Sequence, residues 1–269
     1  MTKRLVTIVL SGAIAITALA VLPASAWATT VDPCASNGTF YSRVGALAQG
    51  YSGGATSVEA SITWQSFGNG MCSGTDPDSK KGSFAYVELT HPSYYDSPFV
   101  WDGIGSGHRG DYVRLGYGIC VWSGDTTCNS GLGYEAFLAW GRYDDGSMCT
   151  SQDANGLTAL GNYSGTPTYK LVRQSDGSVK AYINGSLKYT LPASATSCWN
   201  GSSAVQARAQ ATAWDPGDTI GGSSSNKLEI NNLKGNGVTA ANTCIATTNG
   251  DYRCQDTGSD DIAVWTIER

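Results

Sequence analysis

Two glutamates give this chain its acid–base candidates. Glu88 and Glu135 each sit in a short run of alternating apolar and polar residues. Two carboxylates on nearby strands are the equipment of glycoside hydrolysis, one as acid and one as nucleophile, when about 5–10 Å separates them. The clustered Glu-x-Asp-x-x-Glu pattern that would fix such a gap is absent. The competing reading is two strand carboxylates paired with Arg114 and Arg208. A second set of residues suits binding. Tyr112, Arg114, Glu135, Phe137, Gln206, Arg208 and Gln210 combine flat rings with hydrogen-bonding heads. Rings stack on sugars, while amide and guanidinium groups bond to hydroxyls.

Other chemistries find less in the sequence. His91 precedes Pro92, and His108 lies among Gly105, Gly107 and Gly110, so both read as loop residues. No nucleophile elbow accompanies them, which leaves a Ser/His/Asp triad without parts. Arg109-Gly110-Asp111 is an integrin-type tripeptide, but ordinary turn chemistry explains its Gly and Asp. Asp215 and Asp218 are the candidates for a calcium site, although loop aspartates commonly cap turns. The eight cysteines form no Cys-x-x-Cys pair and histidines number two, so zinc is not expected. No cofactor is expected either.

The elements that carry these residues read as β-strands. In Phe84–Thr90, Ala85, Val87 and Leu89 oppose Tyr86, Glu88 and Thr90. In Asp111–Trp122, Val113, Leu115, Tyr117, Ile119 and Val121 oppose Tyr112, Arg114, Gly116, Gly118 and Cys120. In Tyr134–Arg142, Ala136, Leu138 and Trp140 oppose Glu135, Phe137 and Ala139. In Val205–Trp214, a row of alanines opposes Gln206, Arg208, Gln210, Thr212 and Trp214. The strand period of two sends each set to one face. The second faces therefore assemble one polar, aromatic surface, expected to be a concave groove.

Thr168–Leu191 carries the plainest architecture. Three alternating segments, Thr168–Gln174, Val179–Asn184 and Leu187–Leu191, are joined by Asp176-Gly177 and Asn184-Gly185. Those dipeptides suit hairpin turns with φ > 0. Leu171, Val179, Ala181, Ile183, Leu187, Tyr189 and Leu191 are expected on the buried face. Further strands are expected at Val58–Phe67, Leu228–Leu233 and Ile262–Ile267. The fold class is all-β, a two-sheet antiparallel jelly roll stapled by disulfides.

The ends describe an exported chain. Lys3 and Arg4 precede an apolar run from Leu5 to Leu22, and Ala24-Ser25-Ala26 follows. That is the pattern of a secretory signal peptide over 1–26, with Ala28 as a second cleavage choice. Removing it takes the net charge from −5 to −7, since only Lys3 and Arg4 are charged within it. An acidic chain without a basic cluster is a poor nucleic-acid binder. No other stretch could span a bilayer. Residues 27–235 form the jelly-roll domain, and 236–269 a stapled C-terminal extension packed on it. Cys34, Cys72, Cys120, Cys128, Cys149, Cys198, Cys244 and Cys254 all follow the signal, and export with an even count implies disulfides. Proximity favours Cys120–Cys128 and Cys244–Cys254, leaving Cys34–Cys72 and Cys149–Cys198.

The order of several motifs carries a resemblance. Phe99-Val100-Trp101-Asp102-Gly103-Ile104-Gly105 is followed by Tyr112-Val113-Arg114-Leu115-Gly116-Tyr117-Gly118 and Glu135-Ala136-Phe137-Leu138-Ala139-Trp140. The 168–191 meander and Asp215-Pro216-Gly217-Asp218-Thr219-Ile220-Gly221-Gly222 come next. Over roughly 55–235 the chain resembles exported actinobacterial proteins of concanavalin A-like jelly-roll fold. More distantly it resembles the glutamic peptidases (eqolisins). That family works with a Gln and a Glu on neighbouring strands. Those positions fall here on Arg114 and Ala139, neither of which can take the role, so the resemblance implies no peptidase chemistry.

The expected function is a secreted, extracellular binding protein for a polysaccharide or cell-wall glycan, acting through the polar face. The alternative is a secreted hydrolase using Glu88 and Glu135, or a diverged glutamic-peptidase-like enzyme. Eight Trp and fourteen Tyr against five Phe favour sugar stacking, since Trp and Tyr add a polar handle to the ring. All eight cysteines of the exported chain should be oxidised. Thiol titration under denaturing, non-reducing conditions should find essentially no free thiol, and two or more would contradict the export argument.

Overall fold

The computed structural model describes residues 42–47, 54–63, 65, 81–91, 111–121, 132–142, 154–199, 205–213, 225–239, 244–246, 252–258 and 261–266. All belong to one compact unit, Val31–Arg269. Sheet A contains β1 (Ser42–Leu47), β3 (Lys81–His91), β4 (Asp111–Val121), β5 (Leu132–Arg142), β6 (Ala154–Gly161), β10 (Gln206–Ala213) and β13 (Cys244–Ala246). Sheet B contains β2 (Ser57–Ile62), β7 (Thr168–Arg173), β8 (Val179–Ile183), β9 (Ser186–Leu191), β11 (Leu228–Gly235), β12 (Val238–Thr239), β14 (Tyr252–Asp256) and β15 (Ile262–Thr266). Spatial order is β13-β1-β10-β3-β4-β5-β6 in sheet A and β14-β15-β11-β2-β7-β8-β9 in sheet B, with β12 on β11. Every pairing is antiparallel. Among the described residues there is one 3-10 turn, Ala193–Trp199, and no helix long and apolar enough to cross a membrane. The chain is an all-β, two-sheet antiparallel sandwich of the jelly-roll kind.

The core lies between the sheets and is built from the apolar rows. Val58, Ala60 and Ile62 of β2, Leu171 of β7, and Ala181 and Ile183 of β8 share it with the opposite sheet. That sheet supplies Ala85, Val87 and Leu89 of β3, Val113, Leu115 and Tyr117 of β4, and Ala207, Ala209 and Ala211 of β10. Trp140 packs against this core as its parity requires. Trp214 lies outside the described residues.

The 168–191 meander forms as read, with one correction. Asn184 and Gly185 have φ of 51° and 74°, the paired left-handed conformations of a type I′ turn. At the other turn only Gly177 is left-handed, at 86°. There Ser178 N–H and Oγ–H both donate to Asp176 Oδ1, at 2.9 and 2.7 Å. These bonds hold the Asp176 carboxyl below the usual range. Leu187 was expected in the core and is 51% exposed instead. Tyr182 pairs with Leu187 but Ala181 pairs with Tyr189, so Lys188 is the extra residue of a β-bulge. A bulge shifts parity by one, which sends Leu187 outward with Tyr182.

Most strand ends agree with the alternation to within a few residues, but β2 stops at Ile62 rather than Phe67. Five strands were not read from the sequence: β1, β6, β12, β13 and β14. They are short, or rich in Gly, Ala and Thr, so they lack an apolar alternation. Residues 236–269 do more than pack on the sandwich. β13 extends sheet A beside β1, while β14 and β15 extend sheet B beside β11. β13 and β14 lie close together where the two sheets approach. No described cysteine is free, and Cys254 is disulfide-bonded. Cys34, Cys72, Cys128 and Cys149 lie outside the described residues.

Gly116 is fixed by packing. It stands between Tyr86 and Phe137 in the register of β3, β4 and β5. A Cβ there would collide with Ala85 O and reach 2.5 Å from Tyr86 Cα. Gly116→Ala should therefore cost about 3 kcal/mol, because backbone must shift to admit the methyl. A thermal melt should show a Tm roughly 6–12 °C lower, for a domain of this size. An unchanged Tm would mean that the sheet relaxes freely at this point.

Candidate functional site

Register brings the binding candidates onto one face of sheet A. Arg208 of β10 pairs with Glu88 of β3, Glu88 with Arg114 of β4, and Arg114 with Ala139 of β5. The next row is Gln210, Tyr86, Gly116 and Phe137. Flanking rows hold Gln206, Thr90 and Tyr112 on one side, and Thr212, Phe84, Gly118 and Glu135 on the other. Pleat parity thus gathers the whole expected set, because each opposing row is committed to the inter-sheet core.

The face is not the open groove expected. Glu88, Arg114, Arg208, Gln210, Phe137 and Tyr86 are all buried, while Tyr112, Glu135 and Gln206 are half-buried. Alternation reports which residues share a face; it says nothing of whether that face meets water. Buried charges demand partners, and this face supplies them. Arg114 Nε donates to Glu88 Oε1 at 3.0 Å. Gln210 Nε2 donates to Glu88 Oε2 at 2.9 Å and to Tyr86 Oη at 2.7 Å. Tyr86 Oη and Thr212 Oγ1 are 2.9 Å apart. Arg208 donates to Gln206 Oε1 from Nε at 3.2 Å and from Nη2 at 2.6 Å.

Aromatic rings complete the setting. The Arg114 guanidinium lies 3.9 Å from the Tyr112 ring centroid and 4.9 Å from that of Tyr86. Phe137 meets Phe84 edge to face at 5.3 Å and Tyr86 at 6.3 Å. Phe84, Tyr86, Phe137 and Ala139 form a small apolar cluster of their own on this face. Burial lowers the Arg114 pKa, but Tyr86, Glu88 and Tyr112 outweigh it and hold the guanidinium above its ordinary range. Burial pulls Arg208 below its ordinary range, and Glu88 and Tyr86 offset this only in part. Arginine does not lose its proton in proteins, so both remain cations.

The two glutamates have separate surroundings. Glu88, not Glu135, is the carboxylate that meets an arginine. Both Glu88 oxygens are engaged by donors of the chain, Arg114 Nε and Gln210 Nε2, so neither is open toward a glycosidic oxygen. Glu135 pairs with Gly118, four residues along and two strands across from Glu88. Strand geometry puts the two Cα atoms roughly 16 Å apart. Arg114 and Ala139 are direct cross-strand partners. Tyr86 and Thr212 belong to the hydrogen-bonded set but were not among the candidates, although their parity marks them. Asp215, Asp218 and His108 lie outside the described residues. Among the described residues no group of three or more His, Cys, Asp or Glu could hold a metal ion.

Removing one partner of the buried pair should hurt more than removing both. Glu88→Gln leaves a buried guanidinium uncompensated and should cost about 3–5 kcal/mol in denaturant unfolding. The double change Glu88→Leu with Arg114→Met should recover part of that loss, because the Arg114 charge leaves together with its counter-ion. A double mutant as unstable as the sum of the singles would rule out a charge-driven cost.

No protein-family model matches the chain, and no curated protein matches it by sequence. Among solved structures the likenesses are distant. A glycoside hydrolase family 16 endo-glucanase from Bacteroides ovatus is 12% identical, with TM-score 0.35, over 64% of this chain and 66% of that one. The chain thus spans just under two thirds of that enzyme's length. An immunostimulatory antigen and pseudo β-1,3-glucanase of Mycobacterium tuberculosis is 11% identical, with TM-score 0.36, over 83% of this chain and 75% of that one. The catalytic domain of a laminarinase from Thermotoga petrophila is 9% identical, with TM-score 0.33, over 87% of this chain and 79% of that one. Likenesses of this size assign neither a family nor an activity.

Proposed function

We propose that this is an exported protein, cleaved after Ala26 and oxidised at its cysteines, that binds a polysaccharide or cell-wall glycan through the second face of sheet A. The observation that carries the reading is the seating of Tyr112. Its ring rests on the Arg114 guanidinium at 3.9 Å, and Glu88 holds that guanidinium in turn. A ring fixed by a buried cation loses little freedom on binding, which is what a stacking platform for a sugar needs. Tyr112, Glu135 and Gln206 are the half-buried members of the set and make the ligand contacts. Arg114, Phe137, Arg208 and Gln210 act behind them as the fixed support. The separation of Glu88 from Glu135 and the doubly bonded state of Glu88 weigh against a hydrolase built on that pair.

The test is a glycan array probed with the mature protein, beside glycosidase and peptidase assays at acid and neutral pH. Binding without turnover is expected. Tyr112→Ala should weaken that binding roughly 5- to 150-fold, the range typical of a central aromatic contact, with Tm little changed. Turnover abolished by Glu135→Gln would replace the binding reading with a hydrolase.

A further inference from the structure

Two hydrogen-bonding groups around β10 are left open. Gln210 is fully buried and its Oε1 has no hydrogen-bond partner. The amide cannot simply be turned over, because Nε2 already donates to Glu88 Oε2 and Tyr86 Oη. A flipped amide would set its oxygen against a carboxylate. Two residues along the same face, Thr212 is buried as well. Its Oγ1 meets Tyr86 Oη at 2.9 Å. Tyr86 Oη accepts from Gln210, so its own hydrogen goes to Thr212 Oγ1. The Thr212 hydrogen then has no acceptor among the described residues. If Thr212 donates instead, the Tyr86 hydrogen is the one left over. In either arrangement one acceptor and one donor hydrogen remain in the same buried cluster.

We infer that a single buried O–H group, from water or from a ligand hydroxyl, bridges Gln210 Oε1 and the Thr212–Tyr86 hydroxyl pair. One oxygen can do both jobs, donating to Oε1 and accepting the spare hydroxyl hydrogen. Residues i and i+2 on one strand face stand about 7 Å apart at Cα, a span that one bridging oxygen closes between converging side chains. Opposite Gln210 on β1 stands Gly45, which presents no side chain. Nε2 faces β3, so Oε1 points away from that strand. A buried acceptor and donor left open together would be costly, whereas a water making two or more bonds is a normal part of a protein interior. The bridge fixes the amide so that Nε2 stays on Glu88.

Crystals of the mature protein, diffracting to about 1.3 Å, decide the matter with and without a soaked β-linked glucose tetrasaccharide. An oxygen within about 3.2 Å of both Gln210 Oε1 and either hydroxyl is expected. Present in both crystals, it is water; present only after soaking, it is a sugar hydroxyl. Only the second source rests on the glycan reading. A bridging water in crystals that take up no sugar upholds the inference while counting against that reading. No bridging oxygen in either crystal, or Oε1 paired with a donor of the chain, overturns it. In solution, Thr212→Val and Gln210→Met should each lower Tm by about 3 °C, with a combined loss smaller than the sum. The shortfall should persist in a Tyr86→Phe background, where the direct hydroxyl link is gone. Additive losses in that background would overturn the bridge, and Thr212→Ser should restore it.

Discussion

The Arg114–Glu88 ion pair is the constraint on which sheet A depends. A carboxylate buried on a sheet face survives only if strong donors meet it. Here one oxygen takes Arg114 from β4 and the other takes Gln210 from β10. The pair therefore ties three neighbouring strands together at one register. A slip of a single residue would carry Glu88 into the inter-sheet core, among Val87, Leu115 and Ala209, with no donor to receive it. Hydrophobic alternation alone tolerates a slip of two residues; a charged pair does not. The stacking of Tyr86 and Tyr112 on the guanidinium, and the glycine at position 116 that admits the Tyr86 and Phe137 rings, follow from the same fixed point.

Sheet A has two largely buried faces of different character. Its inner face on β10 is a row of alanines, Ala207, Ala209 and Ala211, buried in the inter-sheet core. Its second face carries Phe84, Tyr86 and Phe137 beside the ionic network. The first face supplies apolar area without specificity. The second supplies fewer apolar contacts but demands particular partners at particular positions, which is how a polar interior selects one arrangement among many.

Face membership was legible in the sequence, because parity is a local property of an extended chain. Tyr112, Arg114, Phe137, Gln206, Arg208 and Gln210 fall together on sheet A for that reason alone. Burial was not legible, because it depends on what the rest of the chain does above the face. The choice of Glu88 over Glu135 as the arginine partner is set by strand register, which no single strand encodes. Leu187 shows the limit at closest range: a one-residue bulge after the Asn184-Gly185 turn reverses the parity that placed Leu171 and Ile183 correctly. The half-exposed strand β6 carries no alternation, since an edge strand with few core contacts has little reason to keep one.

The pairing of β1 has a consequence for how the molecule is made. β1 (42–47) forms its ladders with β10 (206–213) and β13 (244–246), both far along the chain. Sheet A therefore cannot acquire that side until nearly all of the polypeptide has emerged. Until then β3, β4 and β5 can form a local meander whose β3 edge waits open for β10. Topologies dominated by such distant pairings fold slowly and expose unpaired edges while they wait. For this chain the hazard lies in assembly rather than in the finished fold. A helper that shields the β3 edge would raise the yield of folded protein without changing its final stability.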